Sequence, residues 1–275
     1  MREINLNNTE LRSILTEIEN HTGMNLSKYA VSFIKRRTEL FMQKNQIASE
    51  KEFNYRLHTS NFLAESFKDE LHISTSELFR DAEMWNYLAD SIFSGYKPDQ
   101  EIKIALPNST GPEDLYSLIA TLDKNEKKLN VGIYVSLVSE TLKELMEKGQ
   151  FTEKEFTSSV KNIEILNFVN NPEDIFKKKE QHRVVKHRWT GKINYDTNGV
   201  FDYPYIDEFD LIICRNQLIY YTKEAQSKAY KMFTKALKKG KWLILGEKER
   251  PDESNSGYYK QVHKTLSIYK RKSYT

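Results

Sequence analysis

Apolar residues in the first hundred positions recur every three to four places. Leu11, Ile14, Leu15 and Ile18 mark a first helix, and Gly23 interrupts the pattern. Asn25-Leu26-Ser27 then offers a cap for a second helix, with Tyr29, Phe33, Ile34, Leu40 and Phe41 on its apolar side and Lys35, Arg36 and Arg37 between them. The same spacing predicts a third helix near 50–57 and a fourth near 62–71. No proline occurs before Pro98, which suits an all-helical block.

Beyond Pro98 the period changes. Residues 102–106 form a short apolar run, followed by the turn-rich Pro107-Asn-Ser-Thr-Gly-Pro112 and a helical stretch over 113–122. A second strand is expected at 131–138, with a helix over 140–148 ended by Gly149. Phe209-Asp-Leu-Ile-Ile-Cys214 shows no polar alternation after Asp210, so both its faces should be buried. A helix over 224–237 and a buried strand at 241–245 follow. Strands alternating with helices, the strands continuously apolar, predict an α/β fold with a doubly wound, mostly parallel sheet. Residues 265–270 alternate and suit an antiparallel edge strand.

The expected division is an N-terminal helical domain over 1–92 and an α/β domain over 93–275. The stretch 151–205 is less regular. It carries Lys177–Lys179, Arg183, Lys186, His187, Arg188 and Lys192, and short alternations there suggest a small inserted β-subdomain at about 177–197.

Composition narrows the classes. With 39% hydrophobic and 12% aromatic residues in 275, the chain can build a substantial core. A net charge of +3 gives no global pull toward nucleic acid, and none is expected as a partner. The single cysteine, Cys214, excludes an internal disulfide and a multi-cysteine zinc site, and reads as a small buried hydrophobe. The six histidines lack ligand spacing, so no metal is expected. No apolar stretch is long enough to span a bilayer and the start is polar, so a cytoplasmic protein without direct membrane insertion is expected. Glycine is scarce: 10 residues, about half the usual share of roughly 7%.

In an open parallel sheet, ligands bind beyond the carboxyl ends of the strands. Three loops qualify here: Asn108-Ser-Thr-Gly111, Arg215-Asn216, and the segment after Gly246 with Glu247 and Glu249. The first lacks both G-x-G-x-x-G and the phosphate-binding G-x-x-x-x-G-K-[ST] pattern, which argues against a nucleoside triphosphatase. Arg215 and Asn216 follow the most buried strand, where they read either as a surface arginine with a capping amide or as parts of a site.

Phe209-Asp-Leu-Ile-Ile-Cys-Arg-Asn-Gln-Leu-Ile-Tyr-Tyr221, with Lys223-Glu-Ala-Gln226 and Leu237-Lys-Lys-Gly-Lys-Trp-Leu-Ile-Leu-Gly246, resembles the CheR-type chemotaxis receptor methyltransferases. Ser74-Thr-Ser-Glu-Leu-Phe-Arg80 is similar to that family's N-x-T-x-F-F-R segment, and Ser109-Thr-Gly-Pro-Glu-Asp-Leu-Tyr-Ser-Leu118 to its STGEEPYSL with one extra residue. Thr22-Gly-Met-Asn-Leu26 and the Arg36-Arg37 helix match its N-terminal domain, so the resemblance spans essentially the whole chain.

The resemblance implies a class I methyltransferase fold and S-adenosylmethionine as cofactor. It implies methyl transfer to glutamate side chains of chemoreceptors. Arg80 and Tyr220 would then be catalytic, Arg80 by cofactor and substrate carboxylate and Tyr220 beside the transfer point. Ser74, Ser76, Arg80, Glu113, Asn198, Gly199, Asn216 and Gln217 would bind the cofactor. Of these, Glu113 would meet the methionine ammonium, Asn216 and Gln217 the methionine and ribose, and Asn198-Gly199 the adenine side. The basic hairpin would engage the receptor, and Arg80 is expected to reach the Asn216 loop.

Three features depart from the pattern. Leu106-Pro107-Asn108 replaces a small, open loop; Val135-Ser-Leu-Val-Ser139 has no carboxylate for the ribose hydroxyls; Glu247 and Lys248 replace a histidine and a serine. These leave an alternative, a CheR-like protein that has lost catalysis and acts as a protein-binding module in signalling.

Overall fold

A computed structural model describes residues 4–71, 77–123, 129–137, 139–186, 192–196 and 208–273. They fall into two units, one of residues 1–73 with 219–226, the other of 74–218 with 227–275.

The first unit contains four helices, α1 (Asn8–Thr22), α2 (Val31–Lys44), α3 (Glu50–Thr59) and α4 (Asn61–Glu70). Asn7 starts α1 through a capping box with Glu10, and Gly23 ends it in the left-handed region at φ 68°. Ser49 caps α3 by accepting from the Glu52 N–H. The apolar faces meet in a core where Ile14, Ile18, Met42, Phe53, Leu57 and Phe67 are fully buried. Phe41 and Phe67 pack edge to face at 5.2 Å. Arg37 turns inward: Nη2 lies 3.0 Å from Oε1 of buried Glu70. Arg36 stays exposed.

The second unit is built on a seven-stranded sheet in the order β6-β2-β1-β7-β8-β10-β9. Its strands are β1 (Glu101–Leu106), β2 (Asn130–Ser136), β6 (Ile193–Asp196), β7 (Phe209–Cys214), β8 (Leu237–Leu245), β9 (Tyr259–Gln261) and β10 (Ile268–Arg271). The first five in spatial order, β6 to β8, are parallel, and β10 and β9 antiparallel, which bears out the doubly wound α/β expectation. All six residues of β7 are buried, as its unbroken apolar run requires. The helices α5 (Ala82–Tyr87), α6 (Glu113–Asp123), α7 (Glu140–Lys148) and α9 (Lys223–Ala236) belong to this part of the chain, with α9 beginning in the first unit's segment. Ser139 caps α7 and Gly149 closes it at φ 54°.

Two expectations are corrected. The alternating stretch 265–270 is not a sheet edge: β10 lies between β8 and β9, and the edge falls to the short strand β9. The stretch after Phe151 is not irregular, since α8 (Glu153–Glu164) runs through it. A capping box of Thr152 and Glu155 starts α8, and Ser159 and Ile163 at helical spacing bury its inner face.

The basic stretch divides. β3 (Gln150–Thr152), β4 (Phe176–Lys179) and β5 (His182–Val185) make a separate antiparallel sheet in the order β3-β5-β4, whereas β6 joins the main sheet. Lys177, Lys178 and Lys179 are exposed. Arg183 is held by Glu153 at 2.8 Å and Glu173 at 2.7 Å, with its guanidinium 4.0 Å above the Phe156 ring.

Candidate functional site

The sheet reverses direction at β1. From there β2 and β6 run to one side, β7 and β8 to the other. The crevice beyond the carboxyl ends of β1 and β7 is therefore the topological switch point of the sheet. The two loops that flank it are 107–112 and 215–217.

These loops are tied to one another. Gln217 Nε2 donates to Thr110 Oγ1 at 2.7 Å. Arg215 Nη1 donates to Asp114 Oδ1 at 2.6 Å, and Nη2 to both Asp81 Oδ2 and the Arg80 carbonyl at 2.6 Å. Arg215 is only 3% exposed, so it is not a surface arginine. A buried guanidinium needs its charge compensated, and two carboxylates do this here. Its Nε is buried without a hydrogen-bond partner among the described residues. Arg80 thus reaches the loop through its main chain, while its side chain is exposed.

Asn216 takes a left-handed conformation at φ 56°, a region asparagine tolerates better than most residues. Gly246 at the end of β8 packs directly under it. A Cβ there would stand 2.6 Å from Asn216 Oδ1 and 2.7 Å from its N. At the other loop, buried Glu113 folds its carboxylate over Gly111, where a Cβ would meet Oε2 at 2.0 Å. Asn108 is also left-handed, at φ 54°. Its N–H donates to Ser136 Oγ at 3.0 Å, and the Ser109 N–H to the Ser136 carbonyl at 2.8 Å. The end of β2 thus braces the loop after β1 and presents a hydroxyl, not a carboxylate. Glu140, the nearest acid downstream, is exposed at the start of α7.

A cleft of about 450 Å³ opens beside Arg215 and Leu245, with Asp81, Glu83 and Glu247 in its lining. Cys214 is buried, and burial pushes its thiol well above the ordinary range, as befits a packing residue rather than a nucleophile.

Tyr220 lies in the first unit, where its ring stacks on Phe33 at 4.7 Å and its carbonyl accepts from the Ala30 N–H at 2.9 Å. Ser74, Ser76, Asn198 and Gly199 lie outside the described residues. Of the expected site residues, the structure brings Glu113, Asn216 and Gln217 to the switch point, together with the main chain of Arg80.

Sequence reasoning missed Asp81, Asp114 and the role of Glu249, which accepts from the N–H groups of residues 216–218. The signal for the first two was Arg215 itself: an arginine after a wholly apolar strand demands carboxylates somewhere in the chain.

Residues 74–268 match the family described as "CheR methyltransferase, SAM binding domain", and residues 9–72 match its all-alpha domain. The chain belongs to the CheR methyltransferase family. A chemotaxis protein methyltransferase of Listeria innocua is 23% identical over 235 residues, covering 85% of this chain and 87% of the relative. One of Borreliella burgdorferi is 22% identical over 258 residues, covering 90% and 89%. As a CheR family member, the chain has S-adenosylmethionine as its cofactor.

The donor set fits the methionine end of that cofactor. A buried carboxylate, Glu113, suits an ammonium, and the Asn216 amide both donates and accepts, which suits an α-amino acid group. The ribose end is different: Ser136 is committed to the loop after β1, and β2 supplies no carboxylate. No group of three or more residues able to hold a metal occurs among the described residues, and no helix there is long and apolar enough to cross a membrane.

Proposed function

We propose that this CheR family member transfers a methyl group from S-adenosylmethionine to glutamate side chains of a chemoreceptor. The observation that carries this reading is the pair of loops at the switch point, tied together by Gln217 and Thr110, one leading into Glu113 and the other carrying Asn216. Relatives named chemotaxis protein methyltransferase, matching over most of both chains, supply the substrate class.

Bound S-adenosylmethionine supplies a methyl group on a positively charged sulfur. A glutamate carboxylate is ionised near neutral pH and can attack without a general base. The work left to the protein is positioning and exclusion of water. Glu113 holds the ammonium of the methionine moiety, and Asn216 bonds its amino-acid end. Gln217, steadied by Thr110, lines the adjoining wall. Arg80 and Tyr220 are the catalytic residues of this reading, Arg80 offering its guanidinium to the incoming carboxylate. Ser74, Ser76, Asn198 and Gly199 complete the binding set. The lysines of β4, exposed on a sheet of their own, form the docking surface for the receptor. A cytoplasmic setting and the absence of nucleic acid from the reaction belong to the same proposal.

The test is transfer of labelled methyl from S-adenosylmethionine to a receptor signalling fragment. Label released as methanol by mild alkali, and lost when receptor glutamates become alanine, identifies a glutamyl ester. Alkali-stable label, or none while S-adenosylhomocysteine binds, overturns the reading; the second outcome returns the chain to the protein-binding alternative.

A further inference from the structure

Three successive main-chain N–H groups after β7 point at one carboxylate. Glu249 Oε2 accepts from Asn216 N at 2.9 Å, and Oε1 from Gln217 N at 2.8 Å and Leu218 N at 2.7 Å. Gly246 N adds a fourth donor, to Oε2, at 2.8 Å. Each oxygen therefore receives two N–H groups.

The left-handed φ of 56° at Asn216 turns these donors to one side. Such a concavity of N–H groups is an anion site. Here the chain fills it with its own side chain, only 4% exposed. Burial pushes the Glu249 carboxyl up from its ordinary value, and the four N–H donors counter that in part. Gly246 permits the arrangement: a Cβ there would crowd Glu249 Oε2 at 2.9 Å as well as Asn216.

We infer that Glu249 is a positioning residue for cofactor binding: its carboxylate holds residues 216–218 so that the Asn216 side chain is already set at the switch point. The cofactor half of this inference rests on the proposed function, whereas the loop-holding half does not. The chemistry requires a carboxylate rather than any polar group. Glutamine offers one acceptor oxygen and an NH2, which would face two N–H donors with a donor of its own.

The experiment compares the full chain with Glu249→Gln and a control, Thr234→Val. Thr234 has a buried hydroxyl bonded to the Tyr259 hydroxyl and the Tyr230 carbonyl, and touches none of these atoms. Amide hydrogen exchange reads the loop, and calorimetric titration with S-adenosylhomocysteine reads the site. In E249Q, exchange at 216–218 rises and affinity falls, each by about tenfold or more, the scale of lost buried charge-assisted hydrogen bonds. T234V melts at lower temperature with both readings unchanged. Unchanged exchange in E249Q overturns the inference, as does a loosened loop with wild-type affinity. Equal loss of affinity in T234V overturns it too, since general destabilisation then suffices. A wild-type chain that does not bind S-adenosylhomocysteine counts against the proposed function, while the exchange comparison still decides whether Glu249 holds the loop. If E249Q fails to fold, Glu249→Asp keeps both acceptor oxygens one methylene short and should shift both readings in the same direction; wild-type values there overturn the inference.

Discussion

Arg215 Nη1 lies 2.6 Å from Asp114 Oδ1, joining the loop after β7 to the first turn of α6 across the switch point. The same guanidinium holds Asp81 at 2.6 Å, so one buried cation gathers the segment after Arg80, the helix that begins with Glu113, and the Asn216 loop.

This arrangement predicts non-additive stability. Asp81→Asn or Asp114→Asn alone leaves Arg215 one carboxylate and should cost about 1–2 kcal/mol each. The double variant leaves a buried charge uncompensated and should cost about 3–5 kcal/mol, or more than the sum. Urea unfolding of the four proteins measures the coupling, and simple additivity would show that Arg215 finds water instead.

Asn216 carries two burdens that separate by substitution. Alanine at φ 56° adds backbone strain of about 1 kcal/mol as well as removing the amide, so Asn216→Ala should lower both stability and cofactor affinity. Asn216→Gly accepts the same φ without strain. It should keep the melting temperature while weakening S-adenosylhomocysteine binding by about 1–3 kcal/mol. Wild-type affinity in the glycine variant would remove Asn216 from the site.

Gly246→Ala should destabilise the fold by about 1–3 kcal/mol, because the new methyl meets the main chain of Asn216, which cannot swing aside. The check is the urea midpoint at constant slope.

Asp210 gives a pH signature. Burial raises its pKa, but Lys238 at 2.8 Å, Lys241 at 2.9 Å and the Lys103 N–H outweigh this, and the net shift is downward. A depressed carboxyl contributes stability that is fully present above its unfolded pKa of about 3.9 and is lost as pH falls through the folded value. The melting-temperature gap between wild type and Asp210→Asn should hold steady from pH 7 to 5 and narrow below about pH 4. A gap that stays constant into strong acid would show that Asp210 is not ionised in the fold.

The sequence by itself determined the elements whose cause is local. Ile14 and Ile18 at helical spacing, Gly149 after α7, and the unbroken Leu211–Ile213 run each dictate their structure through neighbours in the chain, and each is found as read. It also placed Arg215 and Asn216 beyond a buried strand, where the strand-end rule looks for a site. Helix α8 is legible in principle from the capping pair Thr152 and Glu155.

Only the tertiary structure decided which residues complete one another. Asp81, Asp114 and Arg215 are separated by up to 134 positions, and nothing local distinguishes these two aspartates from the chain's other acids. The fate of Glu249 was equally invisible, since its partners are main-chain N–H groups that every residue but proline carries. Their convergence depends on the turn at Asn216 and on the missing side chain of Gly246, two conditions that only the folded sheet brings to the same place.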